Sequence, residues 1–590
     1  MCGIIACRTE SPAIDYLLTA LGRLEYRGYD SAGVAVQTVD GTVARLRTVD
    51  RIGALRAAVT AWAGGHFGNV GVGHTRWATH GSVSVVNAHP HTDCSGQISL
   101  VHNGIIENAD DLRTALTASG HEFHSSVDSE VICHLIEDQL KISADLLEAV
   151  QASLLALDGS WALAVLEECS GRIVVAARRS PLLVAHTPVG QFAASDITAI
   201  AEWVDEFRVL EDGDVVELTD SGDSADGAAP ALARCVWRSN DSELSGYVDY
   251  MAKEIDEQPA AAARLIDEVA GGIANGKLWA DLGLAPFERL QVLACGTSLN
   301  AGHVIGNLVR RLGGLPASFI VASEAAGEIV EPHTLCLAIS QSGETADVLA
   351  AVEHRTPAES VLALTNNSHS TLARRADAYL TCAAGPEIGV AATKTFVCQV
   401  IAGAALMISA LVAVDRIAAA DARTFVDDLR RLPDQLDAAC VIAKYEVPRV
   451  TEELSSAAGF IFMGRGSGVP YAAEGALKLK ELTYRWAEHY PAGELKHGPL
   501  ALIGPGTPVV VVDNAEPRLA ANVAEVTARG ALVIRIGPAG STIPVVTHPV
   551  APWGPLESVI PMQILARSLG LALGWDVDKP RNLAKSVTVE

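Results

Sequence analysis

Cys2 is the first residue in the sequence that could carry out covalent chemistry. It directly follows the initiator Met1 in MCGI, so removal of Met1 would leave a thiol and a free α-amine on one residue. An α-amine of this kind can act as the base for its own side chain, which makes Cys2 a candidate nucleophile. The alternative is that Cys2 is a buried free cysteine, which behaves as a small hydrophobic residue.

Acid–base groups are concentrated near the sequence AAEGALKLKEL. Helical spacing places Glu474, Lys478 and Glu481 on one face of a predicted helix. One interpretation is an exposed ion-pair ladder, which contributes little to stability. The other is a carboxylate and an amine held together for proton transfer, with Glu481 as the candidate base. His497, in the glycine-flanked sequence GELKHG, suits acid–base chemistry near neutral pH.

Lys585 is a second candidate nucleophile. It lies in the C-terminal sequence DVDKPRNLAKSVTVE, which is neither of low complexity nor strongly charged. If this tail docks on the protein, desolvation lowers the pKa of Lys585 and its amine becomes nucleophilic toward carbonyl groups.

Two turns rich in Ser, Thr and Gly follow apolar runs of strand length. Residues 295–298 follow LQVLA, and residues 340–345 follow LCLAI. In doubly wound parallel sheets, anions bind at the carboxyl ends of strands, where the N–H groups of a helix start are available. Such residues also cap helices without binding any ligand. The presence of two such turns in one domain favours a phosphate site.

The elements that position these groups fall into two kinds. Residues 1 to about 240 contain short apolar runs between turns, with helical periodicity at DYLLTALGRLEY and DSEVICHLIEDQL. This pattern predicts an α+β domain with layered antiparallel sheets, residues 2–240. An acidic stretch rich in Gly, Ala and Pro and a connector at residues 239–247 then mark a boundary.

The second half has a different pattern, in which an apolar strand is followed by a Gly/Ser turn and a helix. This is typical of doubly wound parallel sheets. The pattern begins again near residue 458 in GFIFMGRGSG, which indicates an internal duplication. We therefore predict two α/β domains, residues 250–425 and 426–575, followed by a tail, residues 576–590. A chain of 590 residues is long enough for several hydrophobic cores.

Composition restricts the partners and the compartment. The net charge is −26 and no basic run is present, which disfavours a nucleic-acid partner. The eleven cysteines are dispersed without a C-x-x-C pair, which predicts free thiols in the cytoplasm rather than disulfides or a zinc site. The apolar segment Val400–Val414 is shorter than the roughly 18 residues that span a membrane, so we predict a buried helix and no membrane partner.

Taken together, these stretches resemble one family over nearly the whole chain, the glutamine–fructose-6-phosphate aminotransferases (isomerizing). The stretches that carry the resemblance are MCGI, LEYRGYDSAGVA, GHTRWATHG, NAHPH, VHNGIIEN, KEIDEQP, ACGTS, SQSGETAD, EIGVAATKTF, EGALKLKEL, AGELKHGPLALI and DKPRNLAKSVTVE. The resemblance implies an N-terminal-nucleophile glutaminase domain joined to two sugar-isomerase (SIS) domains. It implies glucosamine 6-phosphate and glutamate as products of glutamine and fructose 6-phosphate, a homodimer, and no cofactor or metal.

The resemblance also implies roles in glutamine hydrolysis. Cys2 attacks the side-chain amide of glutamine, and its own α-amine acts as the base. Asn103 and Gly104, in HNG, supply the oxyanion hole, where one donor is worth about 10²-fold or more in rate. The other implied residues are Arg76 for the α-carboxylate of glutamine, Asp128 for its α-ammonium group, Thr79 and His80 in the pocket lining, and Trp77 at the ammonia passage.

For the sugar, the resemblance implies that Lys585 forms a Schiff base with open-chain fructose 6-phosphate. Glu481 moves a proton between C1 and C2 with assistance from Lys478, and His497 opens the sugar ring from the partner subunit. The implied contacts to the phosphate and hydroxyl groups are Ser298, Ser340, Gln341, Ser342 and Thr345, and the implied lining residues are Val390 and Ala584.

Two departures from the family pattern keep a related activity open. Ala392 stands where the family usually has serine, and AAGE follows ASE where an aromatic- and arginine-rich stretch is usual. A paralogue that aminates a related keto-sugar phosphate fits these departures. An amidotransferase for phosphoribosyl pyrophosphate fits less well, because VVVVDNAEPRLA lacks the Gly-Thr-rich loop. A sugar-phosphate sensor would not need Glu481, His497 and Lys585 together.

Overall fold

A computed structural model describes residues 2–78, 81–219, 232–237, 243–355, 359–545 and 551–588 of the chain. The chain forms two compact units. The first comprises residues 1–243 together with 584–590, and the second comprises residues 244–583.

The described part of the first unit is mainly β-structure with five helices. Its strands are β1 Gly3–Thr9, β2 Ser31–Thr38, β3 Val43–Thr48, β4 Phe67–Arg76, β5 His91–Thr92, β6 Ile98–Ile106, β7 Gly159–Glu167, β8 Ile173–Arg178, β9 Leu183–Thr187, β10 Gly190–Ala194, β11 Glu206–Val209, β12 Val215–Glu217 and β13 Ala233–Arg234. Its helices are α1 Ala13–Leu24, α2 Ile52–Thr60, α3 Ala109–Ala118, α4 Glu130–Ser143 and α5 Leu146–Leu154.

Two antiparallel sheets lie face to face in the first unit. One has the strand order β13-β11-β9-β10-β1-β4-β2-β3, and the other has the order β12-β8-β7-β6-β5. Ile4 and Val72 from the larger sheet pack with Val101 and Val175 from the smaller one. Helix α1 covers the outer face of the larger sheet, and α4 and α5 cover that of the smaller sheet. The prediction of layered antiparallel sheets is confirmed.

The second unit repeats one strand-and-helix pattern. Its strands are β14 Arg289–Ala294, β15 Ala317–Val321, β16 Thr334–Ser340, β17 Ser360–Thr365, β18 Ala378–Thr381, β19 Gly459–Gly464, β20 Trp486–Pro491, β21 Pro508–Val512, β22 Leu532–Gly537 and β23 Ile543–Pro544. Its helices are α6 Tyr250–Ile273, α7 Lys277–Ala280, α8 Gly296–Gly313, α9 Ala346–Glu353, α10 Thr371–Arg375, α11 Lys394–Ala413, α12 Ala419–Leu454, α13 Val469–Thr483, α14 Leu519–Thr527 and α15 Val559–Ala572.

Both sheets of the second unit are parallel and have the same order. The strands run β15-β14-β16-β17-β18 in one sheet and β20-β19-β21-β22-β23 in the other, which confirms the predicted duplication of doubly wound sheets. Helix α12 is continuous through residues 425 and 426, where the sequence analysis divides the two domains. It does not break there because Val426, Leu429 and Leu436 are buried along one of its faces.

Helix α11 is the most apolar helix of the second unit. By length and composition it could cross a membrane, with a mean hydropathy of 2.3, but 89% of its apolar window is buried inside the protein. The prediction of a buried core helix is confirmed. The helix packs against α6 and α8, and Gly403 allows the close approach to α8, since a Cβ atom there would lie 2.2 Å from Cδ1 of Ile305.

We predict that Gly403→Ala destabilises the second unit by about 1–3 kcal/mol, because the added methyl group forces Ile305 to move. The matched control is Gly271→Ala, at an exposed helical glycine whose Cβ atom would meet nothing within 4 Å. It should be neutral or stabilising by up to about 1 kcal/mol. Denaturant unfolding of both variants measures the difference, and equal stabilities would contradict the packing argument.

Candidate active site

Cys2 lies at the start of the central strand of the larger sheet in the first unit. Strand β1 pairs with β4 so that Gly3 stands opposite Thr75, which brings Cys2 beside the end of β4. The backbone N–H of Trp77 donates to Sγ of Cys2 at 3.2 Å. Burial raises the pKa of the Cys2 thiol, although this N–H group and the Arg76 guanidinium act in the opposite direction. The thiol therefore needs a base to become a nucleophile.

The side-chain amide of Asn103 is oriented toward Cys2. Its Nδ2 donates to the backbone carbonyl of Cys2 at 2.9 Å, and its Oδ1 lies 3.1 Å from Nε2 of His74. Burial lowers the pKa of His74 to about 3, so its imidazole is neutral. Nε2 also lies 3.0 Å from the carbonyl oxygen of His102, and two acceptors identify it as the N–H donor. His74 thus determines which end of the amide faces Cys2.

Gly104 cannot be replaced by a larger residue in this conformation. Its φ is +137°, and a Cβ atom would lie 2.0 Å from the carbonyl oxygen of Ser160. The close approach arises because Gly104 pairs with Trp161 on the adjacent strand β7. The HNG sequence therefore places an amide side chain against Cys2 and, directly after it, a position that only glycine can occupy.

Arg76 and Asp128 are close enough to influence each other by charge. Arg76 is the last residue of β4 and is buried, and burial lowers its pKa while Cys2, Asp30 and Asp128 raise it. Oδ2 of Asp128 accepts a hydrogen bond from the backbone N–H of Ile106 at 2.9 Å. The structure thus brings Cys2, Arg76, Trp77, Asn103, Gly104 and Asp128 into one region of the first unit. Thr79 and His80 lie outside the described residues.

The two Ser/Thr/Gly turns of the second unit lie side by side. Strands β14 and β16 are adjacent and parallel, with Ala294 opposite Ile339, so both turns begin at the same edge of the sheet. Ser298 is in the first turn of α8 and accepts a hydrogen bond from Gln399 at 3.0 Å. Their common position fits an anion site better than isolated helix caps.

The turn at residues 340–345 wraps back on itself. Oγ of Ser340 accepts from the backbone N–H of Gly343 at 3.0 Å and lies 2.8 Å from Oγ1 of Thr345. Oγ of Ser342 accepts from the N–H of Glu344 at 3.1 Å, and Gln341 is half-buried. Gly343 has a φ of +67°, and a Cβ atom there would lie 2.1 Å from Oγ of Ser370.

The acid–base residues of α13 form a buried group. Nζ of Lys478 lies 2.6 Å from Oε2 of Glu481 and 3.5 Å from Oε1 of Glu474. The side chain of Lys478 is only 1% exposed, which excludes a solvated ion-pair ladder at this residue. Burial acts to lower the pKa of Lys478, but Glu481 and Glu474 together raise it above its ordinary value.

Glu474 connects this group to the turn after β14. Its carboxylate accepts hydrogen bonds from Oγ1 of Thr297 at 3.0 Å and from Nδ2 of Asn300 at 2.9 Å. Burial raises the pKa of Glu474, opposed by Lys478 and by these two donors. A helix of the second sheet is therefore joined to the predicted phosphate site of the first sheet.

The remaining predicted residues are more dispersed. Val390 is half-buried, and its backbone N–H donates to the carbonyl oxygen of Asp578 at 2.9 Å, which attaches the tail to this loop. His497 is exposed at the end of a short 3₁₀ turn. Ala584 and Lys585 are half-buried in the segment that belongs to the first unit, so their association with the sugar site stays a prediction.

Several structural residues escape sequence reasoning. Oε1 of the buried Glu254 accepts from the N–H of Gly389 at 3.2 Å, and Oε1 of Glu387 accepts from the N–H groups of Thr393 and Thr395 at 2.9 and 3.0 Å. These carboxylates shape the loop that carries Val390. The quoted motifs KEIDEQP and EIGVAATKTF contain both acids, but nothing in their spacing indicates that their partners are backbone N–H groups.

Comparison with known proteins gives the same division of the chain. A glutamine amidotransferase domain model matches residues 74–202, and a SIS domain model matches residues 283–409 and 453–543. The two units therefore define a glutamine amidotransferase joined to a duplicated sugar-isomerase fold. The chain is 42% identical to the glutamine–fructose-6-phosphate aminotransferases (isomerizing) of Thermus thermophilus and Halobacterium salinarum, with both chains fully covered in each case. It belongs to the glutamine–fructose-6-phosphate aminotransferase (isomerizing) family.

A solved structure resembles the second half of the chain. The C-terminal domain of glucosamine-fructose-6-phosphate aminotransferase from Francisella tularensis matches with a TM-score of 0.53 and 32% identity. The match covers 57% of this chain and 100% of that one. It supports the assignment of the parallel sheets to the sugar-isomerase half.

We predict that the first unit loses stability as the pH falls from about 6.5 toward 3. Burial lowers the pKa of His74, His89, His91 and His102, so the unfolded chain binds more protons than the folded unit in this range. Each histidine contributes up to about 1.4 kcal/mol per pH unit. The free energy of unfolding, measured between pH 7.5 and 5, tests this dependence of stability on pH.

The variants His89→Gln and His66→Gln separate burial from histidine content. His89 is buried, so its replacement should reduce the pH slope, whereas His66 is exposed and its replacement should leave the slope unchanged. A stability of the first unit that does not vary between pH 7 and 5 would be incompatible with neutral buried histidines.

Proposed function

We propose that this protein transfers the amide nitrogen of L-glutamine to D-fructose 6-phosphate with isomerisation of the sugar. The products are D-glucosamine 6-phosphate and L-glutamate, and the reaction is the first step of the amino-sugar pathway that leads to UDP-N-acetylglucosamine. The observation that carries the proposal is the pairing, in one chain, of the Cys2–Asn103 arrangement with the buried Lys478–Glu481 group beside two anion-binding turns.

In the first unit, the proposed nucleophile is Cys2 after removal of Met1. The α-amine takes the thiol proton, sulfur attacks the amide carbon of glutamine, and the proton leaves with ammonia. Water then hydrolyses the thioester to glutamate. The burial that raises the thiol pKa supports a role for this base. The other proposed contacts are Asn103 and Gly104 at the oxyanion, Arg76 at the carboxylate, Asp128 at the ammonium group, Thr79 and His80 in the lining, and Trp77 at the ammonia passage.

In the second unit, the proposed site holds the sugar phosphate at the edge where β14 and β16 end. Hydroxyl and backbone N–H groups bind the phosphate there without a lysine. Glu481 removes a proton from C1 and delivers one to C2, while the Lys478 ammonium group stabilises the carboxylate. The proposed sugar contacts are Ser298, Ser340, Gln341, Ser342, Thr345, Val390 and Ala584.

Lys585 is the proposed Schiff-base residue because Lys478 is poorly suited to this step. Two carboxylates hold Lys478 in its protonated form, and a protonated amine cannot attack a carbonyl group. Lys585 lies in a tail whose preceding residues are anchored, since Asp578 accepts hydrogen bonds from the N–H groups of Tyr250 and Met251 at 2.8 and 2.9 Å.

The proposed assembly is a cytoplasmic homodimer that needs no cofactor for the reaction. The exposed position of His497 suits a residue that opens the sugar ring bound to the other subunit. The proposed domains are residues 2–240 for the glutaminase, 250–425 and 426–575 for the SIS domains, and 576–590 for the catalytic tail.

We predict that purified protein forms glucosamine 6-phosphate from glutamine and fructose 6-phosphate. The alternative function, amination of a related keto-sugar phosphate, is suggested by Ala392 and by the AAGE stretch at residues 325–328. An assay with a panel of keto-sugar phosphates measures kcat/KM for each substrate. A preference for another ketose phosphate by tenfold or more, or about 1.4 kcal/mol, would favour the alternative.

We predict that the two half-reactions can be separated by mutation. Cys2→Ala should abolish glutamine-dependent amination but retain the isomerisation of fructose 6-phosphate, because the second unit is intact. In Lys585→Ala, glutamine hydrolysis should persist but amino-sugar synthesis should stop. Borohydride reduction with fructose 6-phosphate should trap an adduct on the tail peptide.

Cys169→Ala and Lys579→Arg are the matched controls, since Cys169 is exposed in the first unit and Lys579 lies in the same tail as Lys585. Both should keep the complete reaction. An adduct on Lys478 would assign the Schiff base to Lys478 and the assisting role to Lys585. The absence of any adduct would contradict the Schiff-base mechanism.

A further inference from the structure

Four potential metal ligands converge in the first unit, and none of them is among the residues assigned to catalysis. They are Cys94 in the turn between β5 and β6, His121 after α3, and His134 and Glu137 on α4. One ligand atom from each residue lies within 4.8 Å of the other three. Both histidines are buried, and Cys94 is exposed, which leaves a path for an ion to enter.

Four of the six distances between the ligand atoms agree with the edges of a tetrahedron around zinc. Zn–S and Zn–N or Zn–O bonds of about 2.3 and 2.1 Å require S···N edges of about 3.6 Å and N···O edges of about 3.4 Å. Sγ of Cys94 lies 3.5 Å from Nδ1 of His121 and 3.5 Å from Nδ1 of His134. Oε2 of Glu137 lies 3.2 and 3.4 Å from the same two nitrogens.

The outer nitrogen of His121 contacts a carboxylate, and that of His134 is buried at a longer distance from one. Nε2 of His121 lies 3.0 Å from Oδ1 of Asp138, and Nε2 of His134 lies 3.9 Å from Oε1 of Glu130. A carboxylate in contact with Nε2 favours the tautomer with its proton on that nitrogen, so the Nδ1 lone pair of His121 is directed toward the cluster. The sulfur, the carboxylate and Nδ1 of both rings lie close together, an arrangement that a bound cation would stabilise.

We propose that Cys94, His121, His134 and Glu137 form a four-coordinate structural site for Zn²⁺. The mixture of thiolate, imidazole and carboxylate suits zinc rather than Mg²⁺ or Ca²⁺, which prefer oxygen ligands. Binding releases the thiol proton of Cys94 to solvent. Four protein ligands leave no position for a reactive water, so the ion has a structural role.

The position of the site indicates what the ion stabilises. It links the turn before β6, the segment after α3 and helix α4, which are separated in sequence. Asp128 lies between His121 and His134, so a metal bound at both ends restrains the segment that carries this residue. The sequence pattern did not predict a metal site, because this cluster contains a single cysteine without a C-x-x-C pair and its other ligands lie up to 43 residues away from that cysteine.

Metal analysis of the full-length protein tests the proposal. Protein purified from zinc-supplemented cells should contain about one zinc per chain, and Cys94→Ser and His134→Gln should each lower this ratio at least about tenfold. Cys169→Ser, at another exposed cysteine of the first unit, should keep the zinc. Replacement of zinc by Co²⁺ should give the intense visible bands of a tetrahedral ion and a thiolate charge-transfer band that Cys94→Ser removes.

A measurement on the wild-type protein tests the proposal even if the variants fail to fold. After removal of metal with a chelator, zinc should raise the unfolding temperature of the first unit and Mg²⁺ should not. Protein without zinc that shows no shift on zinc addition would overturn the proposal and identify the cluster as a network of hydrogen bonds within the protein. Zinc content that is unchanged in Cys94→Ser and His134→Gln would also overturn it.

Discussion

The charge of Lys478 must be neutralised because its side chain is buried, and this requirement organises the second unit. Glu481 and Glu474 both contact the ammonium group, and Glu474 in turn accepts hydrogen bonds from Thr297 and Asn300 on helix α8 of the first repeat. An unpaired buried charge is costly, so removal of either carboxylate destabilises the contact between the repeats. The same contact links the candidate acid–base group to the first of the two proposed anion-binding turns.

In the first unit the equivalent constraint is the antiparallel pairing of β1 with β4. It brings the start of the chain beside the end of β4, where Arg76 and Trp77 lie. The neighbouring sheet then supplies Asn103 from β6, and neutral His74 holds the amide of Asn103 in place. Groups from three strands meet because each lies at a fixed register in a ladder of backbone hydrogen bonds. The geometry depends on the backbone more than on any side chain of the pocket.

Much of this architecture could be predicted from the sequence. Apolar runs followed by Gly/Ser turns identify β14, β16 and their helices, because hydrophobic periodicity and turn chemistry are local properties. The helical spacing of Glu474, Lys478 and Glu481 also correctly places them on one face. The local pattern could not show that helix α12 continues through the predicted domain boundary at residues 425–426, because this continuity depends on burial against distant elements.

The contacts that sequence reasoning could not find are all long-range. Glu254 binds backbone N–H groups 134 and 135 residues away, and the pattern around it shows only an acid in a helix. In the sequence, His74 is one polar residue among others in a strand, and only the structure shows its two acceptors. The same limit applies to Cys94, whose neighbours come from the segment after α3 and from helix α4. Residue type suggests what a side chain can do, but the partners are determined by the tertiary fold.

The identical strand order of the two parallel sheets has an evolutionary consequence. Each sheet has a glycine with positive φ at the second position after the strand that comes first in sequence, β14 or β19: Gly296 at +51° and Gly466 at +55°, as expected of two descendants of one ancestral module. Yet the side chains of the two copies differ: the first has the hydroxyl-rich turns, and the second has the charged group on the corresponding helix, α13. Because the groups proposed to act on the sugar are divided between the copies, the two copies would be inherited as one functional pair.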